Sequence, residues 1–314
     1  MLSRLAALLL GCACVLPASS QSVVANIPLS GSPQGIAVNP HNNRIYVALS
    51  TAQLDVIDGS SNSVVATVSI PSSAQFVAVN LVTDRVYVTG CTFNPENCAV
   101  TVLDGNSNAI VATVPIAGPN GIGAQGIAVN PVTNRIFVSD DQNFELEIID
   151  GNTNQTSYLY THNTEALGLA VDFVTNQILV TPSGGGLDVV NGTNGTIQFI
   201  KVGSINQDTA VNSFTGRAYV TNNAGTTVGV IDLNTMKVIT NIDVAATPYS
   251  IAADYLSNLI FVTLENQTVA AINGTTNNIL GTVNVNANYI DVNPATRLVY
   301  ASDSTGNMVH VISE

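Results

Sequence analysis

The sequence predicts an all-β fold, a seven-bladed β-propeller with four antiparallel strands in each blade. Three observations lead to this fold class. A segment of about 40 residues occurs seven times, each copy has room for four short strands, and the N-terminus supplies a strand that the last copy lacks. Units of this length and strand content, stacked radially, are typical of propeller blades.

The first strand of each repeat, strand A, ends in Asn or Asp. In the first copy it opens the segment Ala37–Val47, which reads AVNPHNNRIYV. The Asn or Asp stands at positions 39, 80, 130, 172, 212, 254 and 293, so the spacings are 41, 50, 42, 40, 42 and 39 residues. The chain therefore contains seven tandem copies, with one insertion between the second and the third.

Three further strands follow strand A in each copy. Strand B begins in most copies with Arg, as in Arg44–Val47, and strand C ends in Asp-Gly or a variant, as in Val56–Gly59. Strand D is rich in β-branched residues, as in Ser63–Ile70. Asp-Gly pairs between such strands indicate hairpin turns, and no helical periodicity follows the N-terminal leader.

The number of strands predicts how the ring closes. Strands A, B and C each occur seven times, and the last C strand is Val309–Ser313, whereas strand D follows a C strand only six times. The segment Ser22–Pro28 is similar to the D strand Ser63–Ile70. We therefore expect the N-terminal strand to complete the last blade beside the three C-terminal strands, which removes exposed sheet edges.

A four-residue motif, Tyr-Val-Thr-Asn, occurs at Tyr219–Asn222. Its variants stand at Tyr46–Leu49, Tyr87–Gly90, Phe137–Asp140, Phe261–Leu264 and Tyr300–Asp303. Motif and period together resemble the YVTN-repeat β-propellers, which occur in prokaryotic periplasmic and surface-layer proteins, over essentially the whole chain after the leader. The resemblance implies the fold but no activity, because that family has no shared catalytic residues to carry over.

Residues 1–20 resemble a secretion signal. Arg4 is followed by an apolar run, Leu5–Leu16, and by the small residues Ala18-Ser19-Ser20. We expect a single domain of residues 21–314, located in the periplasm or outside the cell. The alternative, a lipid anchor on Cys12, is disfavoured because the preceding residues fit a lipobox poorly. No later segment is apolar over the roughly 20 residues that a membrane span requires.

Two cysteines remain after the leader. Cys91 and Cys98 lie in one polar, turn-rich segment, and in an oxidising compartment such a pair most often forms a disulfide. The chain-entropy model assigns so short a loop a stabilisation of about 2–3 kcal/mol. The alternative, half of a metal site, would need further Cys or His ligands, which the neighbouring sequence does not contain.

The formal net charge of −13 excludes one class of partner. The chain contains only 8 Lys and Arg residues and they form no cluster, whereas nucleic-acid binding requires several cations that neutralise phosphates. An anionic membrane surface is disfavoured for the same reason. The arginines recur near the start of strand B, which indicates a structural role with a turn carbonyl or Asp as partner; they are Arg44, Arg85, Arg135, Arg217 and Arg297.

Cofactor motifs are also absent from the sequence. No Cys-x-x-Cys-His is present for covalent haem, and no Trp for the stacking of a quinone cofactor. No glycine-rich phosphate loop precedes a helix. Asp140, Asp141 and Glu145 could hold Ca²⁺, although solvated acidic residues are the alternative interpretation and the spacing is not that of an EF-hand.

The irregular B–C and D–A loops lie on one face of the predicted ring, and functional residues favour loops on a rigid scaffold. This face is the predicted ligand face, with candidate residues Asn94, Glu96, Asn120, His162, Glu165, Asp208, Asn222, Asn223, Glu265 and Asp303. Two hypotheses remain. One is a monomeric, non-catalytic binding or scaffold propeller with a protein or carbohydrate partner. The other is a lactonase- or lyase-like enzyme that acts on a sugar or lactone at the central mouth and depends on a metal or on His162.

Overall fold

The computed structural model describes residues 21–93, 96–116, 124–140, 145–160 and 165–314. These residues form 28 strands in seven four-stranded antiparallel sheets, and they contain no helix. The sheets are the blades of a ring, with strand A nearest the axis and strand D outermost. The predicted seven-bladed propeller is confirmed.

The first four blades contain the strands β2 to β17. Blade 1 comprises β2 (Pro33–Asn39), β3 (Arg44–Leu49), β4 (Gln53–Asp58) and β5 (Ser63–Ser69). Blade 2 comprises β6 (Val77–Asn80), β7 (Arg85–Phe93), β8 (Glu96–Asp104) and β9 (Ile110–Ile116). Blade 3 comprises β10 (Ala124–Asn130), β11 (Arg135–Asp140), β12 (Glu145–Asp150) and β13 (Thr156–Tyr160). Blade 4 comprises β14 (Ala166–Asp172), β15 (Gln177–Pro182), β16 (Leu187–Asn191) and β17 (Ile197–Ile200).

The last three blades contain β18 to β28 and also β1. Blade 5 comprises β18 (Asn206–Asn212), β19 (Arg217–Asn222), β20 (Thr227–Asp232) and β21 (Lys237–Asp243). Blade 6 comprises β22 (Pro248–Asp254), β23 (Leu259–Leu264), β24 (Thr268–Asn273) and β25 (Ile279–Asn284). Blade 7 comprises β26 (Tyr289–Asn293), β27 (Leu298–Asp303), β28 (Met308–Ser313) and β1 (Val23–Pro28).

The ring closes as the strand count predicted. Strand β1 pairs antiparallel with β28, and Ile27 lies opposite Val309 in the register. Ile27 is buried in a cluster with Val309 and Val311. The N-terminal strand thus covers the outer edge of the three C-terminal strands.

The described residues form a core of seven apolar clusters, each shared by two neighbouring blades. In one of them Tyr46 of blade 1 packs with Val86 and Val88 of blade 2. Strand B is buried on both faces because it lies between two other blades. This explains why its sequence is continuously apolar instead of alternating.

A chain of side-chain hydrogen bonds joins the blades at the end of strand A. Asn80 donates to Oδ1 of Asn134 in the next blade over 2.8 Å, and its own Oδ1 accepts from the backbone N–H of Val82. Equivalent amide bonds start from Asn39, Asn130, Asn212 and Asn293. The repeated Asn therefore stabilises the A–B turn and links adjacent blades.

The Thr of the Tyr-Val-Thr-Asn motif links strands in the same way. Thr221 is fully buried, and its Oγ1 accepts from the backbone N–H of Asp208 over 2.9 Å. Thr221 Oγ1 also lies 3.2 Å from the carbonyl oxygen of Tyr249 in the next blade, within donating distance. Thr181 and Thr263 occupy the same position in their blades.

The Asp-Gly pairs mark hairpins, as predicted. Their glycines, however, are needed because neighbouring atoms pack closely against the backbone, and not because the turn requires a left-handed conformation at that residue. In the first C–D turn the left-handed residue is Asn62, with φ of 51°, and not Gly59. A Cβ on Gly59 would lie 2.5 Å from Oδ1 of Asn43 and 2.8 Å from the hydroxyl of Tyr300. Glycine is needed because neighbouring side chains approach the backbone there.

The two ends of the ring differ in their connections. We name the end with the B–C and D–A loops the loop face, and the end with the A–B and C–D turns the turn face. The structural role of three arginines is confirmed at the turn face. Arg85 forms an ion pair of 2.9 Å with Asp104, and Arg135 and Arg217 donate to the carbonyl oxygens of Gly192 and Gly274 in the next blade.

Candidate functional site

A central channel runs between the A strands of all seven blades. Its cavity measures about 700 Å³, within the range of roughly 300–1,000 Å³ that is usual for small-ligand sites. At the loop face the lining includes Gln34, Phe76, Tyr249 and Tyr289. The channel is therefore large enough for a small molecule and is lined by polar and aromatic groups at one mouth.

Most A strands carry small residues where they approach the next blade. A Cβ on Gly35 would lie 2.7 Å from the carbonyl oxygen of Gln75, and one on Gly168 would lie 2.6 Å from the backbone of Asp208. Two aspartates break this pattern. Asp208 occupies the repeat position of Gly35, and Asp291 occupies that of Ala37.

Asp208 is held by three hydrogen bonds. Its Oδ2 accepts from the hydroxyl of Ser250 over 2.9 Å and from the backbone N–H of Ile251 over 3.1 Å. Its Oδ1 accepts from the backbone N–H of Thr209 over 2.8 Å. The aspartate thus replaces the close contact of a glycine with bonds to the next A strand.

Asp291 is held in a similar way in blade 7. Its Oδ1 accepts from the backbone N–H of Val292 and its Oδ2 from that of Val38 in blade 1, both over 2.8 Å. A carboxylate offers about four acceptor positions, so both aspartates retain capacity for a further donor. Both side chains are partly exposed to the channel.

The environment of the two aspartates disfavours their negative charge. Burial in the channel wall raises the pKa of Asp208 to about 6 and that of Asp291 to about 6, although hydrogen bonds from Ser250 and the backbone act against this shift. Among the described lining residues there is no Lys or Arg. At neutral pH two carboxylates therefore face the channel without a cationic partner there.

Aromatic rings line the same channel. Phe76 and Tyr289 form an edge-to-face pair with centroids 5.7 Å apart and an interplanar angle of 86°. Burial, with a smaller contribution from the charge of Asp208, raises the pKa of the Tyr289 hydroxyl. The hydroxyl therefore stays protonated at neutral pH.

Of the predicted ligand-face residues that the structure describes, Asp208 alone lines this channel. Asn222 is used in the B–C turn, where its Oδ1 accepts from the N–H of Ser204, and Asp303 accepts from Asn286 and from two backbone N–H groups. Glu165 and Glu265 are exposed on the loop face, and Asn223 is partly exposed in the same B–C turn. Asn94, Asn120 and His162 lie outside the described residues, as does the side chain of Glu96.

The predicted calcium residues belong to blade 3. Asp140 and Glu145 are buried and face each other across β11 and β12, whereas Asp141 lies outside the described residues. Glu147 is on the same strand face, and burial together with the charges of Glu145 and Asp140 raises its pKa to about 7. In the described parts of the chain no three His, Cys, Asp or Glu side chains are arranged to hold a metal ion.

The predicted disulfide is present. Cys91 and Cys98 are directly opposite each other in the β7–β8 hairpin and are joined through their sulfur atoms. This bond fixes the extended part of blade 2 on the loop face. It is compatible with an oxidising, exported location.

Sequence reasoning missed Asp291, Phe76 and Tyr289 as channel residues. Asp291 had a signal in the repeat alignment, because it stands where six other copies have Ala. Phe76 and Tyr289 likewise replace the Gly of strand A. Departures from the repeat consensus on strand A would have identified all three.

Comparison with models of known protein families finds no match, and neither does comparison with curated protein sequences. Among the described residues no helix is both long enough and apolar enough to cross a membrane. The fold and the channel geometry are therefore the observations from which a function can be argued.

Proposed function

We propose that the protein is an exported, non-catalytic binding propeller of the YVTN-repeat type, which takes a small, positively charged ligand into the central channel from the loop face. The observation that carries this proposal is the pair Asp208 and Asp291 in the channel wall. Both interrupt a repeat position that is otherwise occupied by small or apolar residues in most blades.

The charge of the wall determines the class of ligand. Their hydrogen bonds compensate the two carboxylates only in part, because burial still raises the pKa of each to about 6; an opposite charge and a further hydrogen-bond donor reduce the remaining cost. An organic ammonium group supplies both, since it is a cation with several N–H donors. The rings of Tyr289 and Phe76 add a surface for cation–π contact near the same mouth.

The net charge of the whole protein supports the same ligand class. The chain carries a formal charge of −13, and Lys201 is the one Lys or Arg after the leader that lies next to the loop face. A channel lined by negative charge concentrates cations and repels anions. Export is supported by the leader-like N-terminus and by the disulfide between Cys91 and Cys98.

Calorimetric titration with putrescine tests the proposal, with 1,4-butanediol as an uncharged molecule of similar length. We expect putrescine to bind and the diol not to bind. Asp208→Asn and Asp291→Asn should each weaken binding about 10- to 100-fold, since a hydrogen bond to a charged group contributes about 1.5–3 kcal/mol. Glu265→Gln is the matched control, because it removes one charge from the loop face outside the channel.

Acidification is an independent test in the unmodified protein. Putrescine stays protonated below pH 7, whereas Asp208 and Asp291 become neutral as the pH falls through about 6. At pH 5 affinity should therefore fall about tenfold for each carboxylate that contacts the ligand. Burial, and to a smaller extent the charges of Asp208 and Asp291, also raises the pKa values of Tyr289 and Tyr255. Both hydroxyls therefore stay neutral between pH 5 and pH 7.

Three results would overturn the proposal. The first is that putrescine and 1,4-butanediol bind with equal affinity. The second is that Glu265→Gln loses as much affinity for putrescine as Asp208→Asn and Asp291→Asn do. The third is that the protein binds Ca²⁺ and not putrescine. Turnover of a lactone by the metal-loaded protein would favour the enzymatic alternative instead.

A further inference from the structure

The turn face carries an apolar surface that the channel site does not use. The second residue after the Asn or Asp that ends each A strand is solvent-exposed, and in five successive blades it is a large apolar residue, between 58% and 73% exposed. We name these residues the apolar crescent: Val82, Val132, Val174, Phe214 and Leu256. In each of these turns the side-chain oxygen of the Asn or Asp that ends strand A accepts a hydrogen bond from the backbone N–H of the crescent residue, as Asn80 does from Val82.

The crescent is continuous over its aromatic part. Phe214 lies edge-to-face against Phe173, with centroids 5.9 Å apart, and against Tyr255, with centroids 5.5 Å apart. These rings come from the turns of blades 4, 5 and 6. The side chains are thus held in place by their neighbours and present a formed surface to solvent.

The exposed apolar area is large for a monomer. Five side chains exposed to this degree present on the order of 500 Å², near the upper end of the 300–600 Å² found for the largest patch of typical monomers. A standard interface buries roughly 800 Å² per partner, and the crescent alone would supply more than half of that area. The largest apolar patch of a monomer is often functional.

The distribution of charge between the two faces favours a second copy of the protein as the partner of the crescent. Six of the seven Lys and Arg residues after the leader stand beside the turns of this face, and Asp58, Asp104, Asp150 and Asp232 alternate with them. The turn face is therefore mixed in sign, whereas the loop face is acidic. Two copies of a protein with charge −13 repel each other through their acidic loop faces, whereas two turn faces, which carry charges of both signs, repel each other less.

We infer that the protein forms a homodimer in which the apolar crescents of two copies pack against each other around a two-fold axis. This replaces the expectation of a monomeric ring. In such a dimer the acidic loop faces point away from each other. The inference stands independently of the channel ligand, because none of the five crescent residues is among those that line the channel.

Light scattering coupled to size-exclusion chromatography tests the dimer. The protein should elute with twice its 32.6 kDa chain mass, less any removed leader. The measurement should run at about 100 µM, above the micromolar Kd that marks the weak end for interfaces of standard size. The double variant Val82→Lys/Val132→Lys should elute as a monomer, because it places charged side chains in the apolar contact between the copies. Both valines are exposed, so their replacement leaves the fold intact.

The matched control is Val65→Lys/Val111→Lys. These valines are each 50% exposed on the outer D strands β5 and β9, at the circumference of the ring, and the A–B turns of the crescent lie near its axis. The control should remain a dimer, and all variants should keep the melting temperature of the folded ring. A monomeric unmodified protein overturns the inference, as does a dimer that survives the crescent substitutions. Binding of phosphatidylcholine vesicles through the same valines would assign the face to lipid and also overturn it.

Discussion

At the scale of single residues, a departure from the repeat consensus in one blade is accompanied by a matching departure in the next blade. Five A strands end in Asn, whose amide donates to an Asn or Asp of the following turn. Two strands end instead in Asp172 and Asp254, which cannot donate while ionised. The following turns then carry Gly216 and Arg297, neither of which offers an acceptor side chain. The consensus residues at these two positions are thus the ones that form a hydrogen bond between neighbouring blades.

The buried Thr of the Tyr-Val-Thr-Asn motif gives a prediction at this scale. Thr221→Val keeps the side-chain shape but leaves the N–H of Asp208 and the carbonyl of Tyr249 without their partner. We expect the free energy of unfolding to fall by about 1–3 kcal/mol. In a large domain each kcal/mol lowers the melting temperature by about 2–4 °C, which calorimetry can measure.

Thr282→Val is the control for that experiment. Thr282 is an exposed residue of the outer strand β25, where the same change should alter the free energy of unfolding by less than about 0.5 kcal/mol. Equal melting temperatures for the two variants would show that the motif threonine does not link the blades energetically.

At the scale of elements, the closing strand β1 connects the two ends of the chain. Its inward-facing residues are half-buried or buried and alternate with exposed ones, and Ile27 is its one buried side chain. Deletion of Ser22–Pro28 should destabilise the whole propeller, because it exposes the edge of β28 and the residues Val309 and Val311 beneath it.

A milder pair of variants isolates the contribution of this strand. Ile27→Ala should reduce the free energy of unfolding by about 2–5 kcal/mol through loss of buried apolar volume. Val24→Ala, on the same strand but 53% exposed, should change it far less. Urea unfolding measures both. Similar midpoints for the two variants would contradict the closure of the ring by β1.

At the scale of the whole molecule, buried acidic groups determine how stability varies with pH. Burial raises the pKa of Glu147 to about 7 and that of Glu314 to about 8, in addition to the two channel aspartates at about 6. Exposed aspartates of the turns behave oppositely. Backbone N–H groups lower the pKa of Asp58, Asp104, Asp150, Asp232 and Asp243.

These shifts predict an acidic stability optimum. A carboxyl group whose pKa is higher in the folded state binds its proton more tightly there, so stability increases as the pH falls from about 8 towards the unfolded values of 3.8 and 4.5. Below those values the turn aspartates become protonated and their contribution is lost. The melting temperature should therefore be higher at pH 5 than at pH 8, and should fall again below about pH 3.5.

Glu147→Gln serves as the control for this profile. Removing the buried charge should raise the melting temperature at pH 8 and leave it nearly unchanged at pH 5, where Glu147 is already protonated. A melting temperature that rises steadily from pH 5 to pH 8 in the unmodified protein would contradict the assignment of these buried acids.

The sequence by itself determined the number of blades, the strands of each blade, the closing strand and the disulfide. It could do so because a repeated unit shows its local pattern seven times, and because the strand count leaves one place for Ser22–Pro28. Only the tertiary structure decided which residues meet at the axis. Asp208 and Asp291 lie 83 positions apart, and they line one cavity because the ring brings the A strands of blades 5 and 7 to the same channel. The charge that they retain there depends on burial, which no local pattern records.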